Sequence, residues 1–214
     1  MTRMIFVRHG QSLGNLERRF YGQTDGPLTD LGREQAAKTA EYLKDTHIDI
    51  AYSSDLSRAH ETGKIIAAPH NIEVIPRVGL REIFAGDWEN MLFTELLEKY
   101  KESFGTWCLD LGNSCPDNGE SVRDLSERIR AEVWEIAAEN EGKTVLLAIH
   151  ATPIRALACE WCNAPIEKMQ EIGWVRNASV SIVDYDCTLH KTAVQLYDEA
   201  SFMGDMVTSL PKSV

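Results

Sequence analysis

The sequence predicts an α/β fold, a three-layer α/β/α sandwich around a mixed, mostly parallel central sheet. Three observations carry that prediction. Short apolar runs alternate along the chain with stretches of helical periodicity, the pattern of a sheet wound with helices on both faces. The two clearest runs, Met4-Ile5-Phe6-Val7 and Thr144-Val145-Leu146-Leu147-Ala148-Ile149, show no polar alternation, which marks strands buried on both sides. Each of these runs stops abruptly at a histidine and a turn, His9-Gly10 and His150, and function in such sheets lies beyond the carboxyl ends of strands.

Each element follows in order. Residues 4–7 form the first strand, and Gly22, Gly26, Pro27 and Gly32 punctuate the loop after it. Thr29 is the expected N-cap of a helix whose strong helix formers run from Arg33 to Leu43. Ile48 to Ser53 reads as the second strand, and Ser54, Asp55 and Ser57 offer caps for a helix from Arg58 to Ala67. Ile72 to Ile75 is a third short strand. Residues 80–120 are less regular: Leu92 to Tyr100 reads as helix and Gly105 to Gly119 as loop. From Ser121 to Glu139, apolar residues at Val122, Leu125, Ile129, Val133, Ile136 and Ala137 keep helical spacing. After the strand 144–149, Thr152 caps a helix with Pro153 at its first position. Val180 to Tyr185 and Leu189 to Leu196 are two more strands, joined by Asp186-Cys187-Thr188. The tail after Tyr197 has no readable period and is expected to be loosely ordered.

A length of 214 residues suits one domain, 1–214, with sufficient core to need no disulfide or metal staple. Hydrophobic residues at 43% and charged residues at 26% exclude a disordered or collagen-like chain. The net charge of −11, with no basic stripe, argues against nucleic acid or an anionic membrane as a partner. It leaves room for an anionic small molecule, since a few arginines in a cleft make a local positive field. The cysteines, Cys108, Cys115, Cys159, Cys162 and Cys187, are odd in number and follow no signal peptide, so free thiols in the cytoplasm are expected. The sequon Asn177-Ala178-Ser179 is then read as chance.

Arg8-His9-Gly10 places a guanidinium and an imidazole at a strand end, Arg58 lies in the first turn of a later helix, and Glu82 follows a third strand. If the strands before His9 and His150 are neighbours, both imidazoles meet at one edge of the sheet. Two arginines, two histidines and a carboxylate suit phosphoryl transfer. Arginine's planar fork grips phosphate oxygens without losing its charge, a neutral imidazole can attack phosphorus, and a carboxylic acid can protonate the leaving oxygen.

The same residues carry a family resemblance. Arg8-His9-Gly10-Gln11-Ser12 with Asn15, and then Tyr21-Gly22-Gln23-Thr24-Asp25-Gly26-Pro27-Leu28-Thr29, resemble the amino-terminal signature of the histidine phosphatase superfamily, founded on the cofactor-dependent phosphoglycerate mutases. Ser54-Asp55-Leu56-Ser57-Arg58-Ala59 is similar to its second arginine motif. Leu80-Arg81-Glu82 with Gly86-Asp87-Trp88-Glu89 is similar to its acid motif, and Asn118-Gly119-Glu120-Ser121 to the Gly-Glu-Ser that opens the next helix. Ile149-His150 and Ile154-Arg155 resemble its second histidine motif. The resemblance implies His9 as the nucleophile that becomes phosphohistidine and Glu82 as the proton donor. It makes Arg8, Arg58 and His150 the groups that bind the phosphoryl moiety. Asn15, Tyr21, Gly22, Gln23 and the Ala151 amide would contact substrate, and neither cofactor nor metal is required. The chain departs from the pattern at Ala151-Thr152-Pro153, where relatives commonly carry a glycine-containing turn, at Gln11, where Glu is common, and at Gly14, where Trp often stands.

A phosphatase lets water attack the phosphohistidine, whereas a mutase returns the phosphoryl group to bound phosphoglycerate. Residues 90–118 hold only Lys99 and Lys101 as cations against Glu95, Glu98, Glu102, Asp110 and Asp117, which disfavours a doubly charged substrate. Gly86-Asp87-Trp88-Glu89 resembles the small phosphatase branch that includes the α-ribazole phosphatases. The expected activity is a phosphomonoesterase for a small phosphorylated metabolite. A 2,3-bisphosphoglycerate-dependent phosphoglycerate mutase and a catalytically weak phospho-ligand-binding protein are the alternatives. Residues 84–118 are expected to form a lid near His9. Trp88 is the tryptophan placed to touch substrate, His47, His70 and His190 are read as surface residues, and Cys159-Glu160-Trp161-Cys162 as helix rather than redox pair. A homodimer is left open.

Overall fold

The computed structural model describes residues 1–208. Its centre is a six-stranded sheet in the order β4-β3-β6-β1-β7-β8. Strands β1 (Thr2–Arg8), β3 (Ile50–Ser54), β4 (Val74–Arg77) and β6 (Thr144–Ile149) run parallel, and β7 (Val180–Asp186) and β8 (Lys191–Glu199) add an antiparallel edge. The pleat sorts β1 into two cores. Met4 and Phe6 join the larger one, with Leu147 and Ile149, and Ile5 and Val7 join the smaller one, with Leu146 and Ala51. Apolar side chains on both faces are why the run reads as continuously hydrophobic.

Helices cover both faces. On one side lie α2 (Asp30–Leu43) and α3 (Ser57–Ala67), which pack Ala40, Leu43 and Ile66 on the smaller core. Thr29 caps α2, its hydroxyl accepting from the Gly32 amide at 3.0 Å. On the other side lie α6 (Val122–Glu139) and α7 (Ala151–Trp161). The α6 residues Val122, Leu125, Ile129, Val133, Ile136 and Ala137 are all buried, as their spacing predicts, behind a Ser121 cap. No helix among the described residues is long and apolar enough to cross a membrane.

Several elements differ from the expectation. A short helix α1 (Leu13–Glu17) follows the first strand, and a small ribbon pairs β2 (Arg19–Phe20) with β5 (Met91–Leu92). After α4 (Phe93–Lys99), residues expected as loop form α5 (Lys101–Leu109), because Phe104 and Trp107 bury one face, which outweighs the cost of about 1 kcal/mol for Gly105 in a helix. Strand β4 begins at Val74, not Ile72. The N-cap of α3 is Leu56 with no side-chain bond, since Asp55 is taken by a two-pronged ion pair with Arg81 at 2.7 and 2.5 Å. Helix α7 starts at Ala151, so Pro153 sits third in it, still within the first turn where an amide has no helical partner. The described part of the tail packs on the domain: Phe202 stacks on Tyr42 at 4.3 Å and Met203 is buried. Residues 209–214 lie outside the described part.

Candidate active site

Strands β1 and β6 are direct parallel neighbours, with Arg8 in register with Ile149. Their ends therefore bring His9 and His150 together, with ring centroids 5.2 Å apart and the rings edge to face. Gly10 must be glycine here, since a Cβ would lie 2.2 Å from the Gly32 carbonyl oxygen. The tight turn hands the Gly10 carbonyl to His9 Nδ1 at 2.7 Å. A carbonyl oxygen only accepts, so Nδ1 carries the proton and Nε2 keeps its lone pair. Burial, reinforced by the Arg58 and Arg8 cations, holds His9 well below the ordinary imidazole value. His9 is thus a neutral imidazole with a free ring nitrogen, the form that can attack.

Two arginines are fixed beside it. Arg58 Nη2 donates to the Gly22 carbonyl at 2.7 Å and Nη1 to Thr24 at 2.9 Å. Arg8 Nη1 donates to Val175 at 2.6 Å, while its Nε is buried without a partner. Burial brings Arg8 down to about 10 and lowers Arg58 as well, yet both stay cationic near neutrality. Both ring nitrogens of His150 are also buried without a partner, and burial with the Arg58 cation pushes its titration well down. Buried polar groups are rarely left unpaired, so unspent donors gathered at one place indicate a site built for an anion.

Glu82 is buried, and desolvation raises its carboxyl above the usual range. Its Oε1 accepts from its neighbour's amide at Ile83, 2.9 Å, and Oε2 from Thr152 at 3.3 Å. The loop that carries it is clasped by Arg128, whose guanidinium donates to the carbonyls of Gly79, Arg81 and Glu82 and pairs with Glu120 at 2.8 Å. Glu89 does the same for the loop that docks Arg58, accepting from the amides of Gln23 at 2.8 Å and Ala85 at 2.9 Å, and from both the amide and the hydroxyl of Thr24. Gly22, at φ +52°, passes so close to Glu89 that a Cβ would lie 2.3 Å from its carboxylate.

These groups line a cleft of about 520 Å³. Arg8, His9, Asn15, Tyr21, Gly22, Arg58, Glu82 and Ala151 all border it, as the sequence predicts. His150 lies behind His9 instead of on the cleft wall, fully buried. Gln23 is absent from the wall. Its side chain is spent between the Glu82 carbonyl at 3.1 Å and Arg81 at 3.3 Å. Trp88 is also absent, being buried against Phe20, Phe104 and Trp107 with its indole nitrogen on Asp117 at 3.1 Å. The tryptophans on the cleft are Trp107 and Trp174, with Phe20, Phe93 and Arg19.

The profile of the histidine phosphatase superfamily, branch 1, matches residues 4–197. The chain belongs to this superfamily. Phosphoserine phosphatase 1 of Hydrogenobacter thermophilus is 33% identical over 183 residues, 86% of each chain. The adenosylcobalamin/alpha-ribazole phosphatase of Escherichia coli is 27% identical over 169 residues, 78% of this chain and 82% of that one. Among solved structures, YhfR of Bacillus stearothermophilus superposes with a TM-score of 0.90 at 28% identity, covering 95% of this chain and all of the other. The superfamily's departures here have local causes. Gly14 leaves room for the Tyr21 ring, which a Cβ would meet at 2.6 Å. Thr152, in place of a turn glycine, still offers its amide, and Glu82 takes it.

Thr152, Glu89 and Arg128 are functional neighbours that residue type alone did not single out. Glu89 stands in the Gly86-Asp87-Trp88-Glu89 segment, but its role as an acceptor for the 21–24 loop depends on partners far away in the chain. Trp107 and Trp174 carried no signal, because they meet across elements far apart in the chain.

Proposed function

We propose that this superfamily member is a phosphomonoesterase acting on a small phosphorylated metabolite through a phosphohistidine on His9. The observation that carries the reading is the neutral His9 with a free Nε2, set among Arg8, Arg58 and His150 and beside the buried Glu82 carboxyl, whose titration desolvation raises. His9 Nε2 attacks phosphorus as the bond to the ester oxygen breaks, and Glu82 gives its proton to the departing alcohol. Arg8 and Arg58 balance the charge on the phosphoryl oxygens. Glu82, now a carboxylate, takes a proton from water as that water attacks phosphorus. The N–P bond breaks, inorganic phosphate leaves, and both groups return to their starting state. Residues 84–118 act as the lid, since Phe93 and Trp107 from this segment wall the cleft. The free thiols fit a cytoplasmic setting.

The test is phosphate release from an aryl phosphate and from 3-phosphoglycerate by the native chain and by His9→Ala. Release that disappears with the substitution, and an acid-labile phosphoryl adduct found on His9 alone, support the reading. Release that survives it overturns the reading. A mutase is the second reading, favoured by a probable phosphoglycerate mutase of Escherichia coli that is 33% identical over 193 residues. Against it, Arg19 is the sole cation on the outer cleft wall among the described residues, and it is already held by Glu17 at 2.9 Å and the Asn90 carbonyl at 2.8 Å. Conversion of 3- to 2-phosphoglycerate on adding 2,3-bisphosphoglycerate, faster than phosphate release, would decide for the mutase.

A further inference from the structure

Phe93 borders two concavities. One is the cleft over His9. The other is an open groove of about 1210 Å³ between α4 and α5, lined by Leu92, Leu97, Phe104, Cys108 and Leu109 and flanked by Arg18. The groove is apolar and its leucines are out in water: Leu109 is 81% exposed and Leu97 54%. Clustered apolar exposure of this kind marks a binding surface more often than scattered single residues do.

What joins the groove to the cleft is one side chain. Phe93 is the first residue of α4, its amide held by the Arg18 carbonyl at 3.0 Å. Its ring stands between Phe20, 6.2 Å away on the cleft side, and Phe104, 6.3 Å away on the groove side. It is half-buried and forms part of the wall of both spaces. The inner end of the cleft supplies the cations for one phosphoryl group, and the outer end supplies aromatic rings and an Arg19 already paired. Among the described residues, a second anionic group on the alcohol side meets only the paired Arg19, whereas an apolar chain meets the apolar groove residues beyond Phe93.

Resting on the phosphatase reading above, we infer that the α4–α5 groove receives the apolar chain of the substrate. The substrate class is then a phosphomonoester of an extended apolar alcohol, with its phosphoryl group at His9 and its tail laid across Phe93 toward Leu97 and Leu109. The lid's exposed leucines are substrate contacts in this arrangement.

The experiment is the kcat/KM series for ethyl, butyl, hexyl and octyl phosphate below their micelle concentrations. All four leave as primary alcohols of the same basicity, so the chemical step is constant and the slope reports burial of methylenes alone. A rise of at least about tenfold from ethyl to octyl is expected, well short of the full transfer value for six methylenes. Leu97→Asp and Leu109→Asp change exposed positions and flatten the series, with a loss in kcat/KM that grows from ethyl to octyl phosphate. A flat native series with His9-dependent turnover overturns the groove assignment and leaves the phosphatase reading standing. A rising series that both aspartates leave untouched overturns it too. A flat series accompanied by self-association that Leu109→Asp abolishes gives the groove to a second copy of the chain. Absence of any His9-dependent turnover removes the phosphatase reading and this inference with it.

Discussion

The inner and outer ends of the cleft are built in opposite ways. The inner end is made by the carboxyl ends of β1 and β6, whose register puts Arg8, His9 and His150 in place through backbone pairing. Its side chains are buried and polar, several of them with unspent donors. The outer end is made by Phe20, Phe93, Trp107 and Trp174, drawn from β2, α4, α5 and a later loop and held by ring contacts such as Phe20–Trp107 at 4.9 Å and Trp107–Trp174 at 6.3 Å. Backbone pairing fixes atoms tightly enough for bond making, whereas ring packing fixes a shape that can vary without disturbing the chemistry. Reaction and specificity therefore have separate structural supports here, so substitutions at the two ends should change different kinetic constants.

The largest expected effect is at the inner end. Glu82→Gln should lower kcat by roughly 10²–10⁴-fold for substrates with poorly acidic alcohols, since it removes the proposed proton donor. The pH dependence follows from the two shifts. His9 must be neutral, so rate is lost as pH falls through its lowered titration. Glu82 must be protonated, so rate is lost as pH rises through its raised one. Glu82→Gln should erase the alkaline limb and leave the acid limb, which a pH–rate profile reads directly. Stability carries the same signs. Above the ordinary carboxyl value the native state holds a proton that the unfolded chain has lost, so ionising Glu82 costs stability as pH rises through its folded titration. The substitution should therefore raise Tm at neutral pH relative to the native chain. A lowered Tm there, with an unchanged alkaline limb, would refute the assignment of Glu82 as a buried acid.

A smaller effect is expected where the two ends meet. Glu89 ties the loop 21–24, on which Arg58 is docked, to Ala85 at the start of the lid. Glu89→Ala frees both. Misplacing a positioned group by about 1 Å costs up to roughly 10²-fold, so a fall of about 10- to 100-fold in kcat/KM is expected, with weaker inhibition by inorganic phosphate. Recovery of phosphate affinity in Glu89→Gln, which keeps one acceptor oxygen, would show how much of the effect is position rather than charge. Glu89→Ala with full phosphate affinity and only a lowered Tm would break the comparison, because the clasp would then serve the fold alone.

The contrast also explains what could be read from the chain. Strand ends, the Thr29 cap and the buried face of α6 depend on neighbours within a few residues, and these were legible. So was the meeting of His9, Arg58 and Glu82 at one cleft, because each stands at or near a strand or helix end. Helix α5 was not, since Gly105 argues locally for a loop and Phe104 and Trp107 repay the helix only after the lid has closed over Phe20. Trp88 was assigned to the cleft for its size and its motif, but the aromatic cluster takes it inward. At the outer end, Trp174→Ala tests the separation. Trp174 stacks on Trp107 and lies under the Arg155 guanidinium at 4.0 Å. Its loss should raise KM several-fold, re-rank substrates and leave the pH–rate profile unmoved, as expected of a contact made equally in ground and transition states. A shifted profile would mean that the outer wall reaches the chemistry.

The smallest effect belongs behind the inner end, in the tail that lacked any readable period. Thr208 accepts from Gln35 Nε2 at 2.8 Å and donates to Asn177 Oδ1 at 3.1 Å. Gln35 in turn accepts the Gln11 amide at 2.8 Å, and Asn177 Nδ2 donates to the His9 carbonyl and to Asn15 Oδ1, both at 3.1 Å. The residues on each side of the His9 turn are thereby braced to the same hydroxyl, and Asn177, buried and spent on these bonds, is no acceptor for a glycan. Thr208→Val keeps the shape and removes the hydroxyl, leaving two partners short of a bond, so a loss of about 1–2 kcal/mol is expected. For a chain of this size that corresponds to a fall of roughly 2–8 °C in Tm. If backbone pairing alone fixes His9, kcat stays at the native value while Tm falls. A drop in kcat of more than about threefold at a temperature where the variant is fully folded, near 0.7 kcal/mol in the barrier, would mean that the tail shares in holding the nucleophile. The rigid inner end would then be a product of the strands and the tail together.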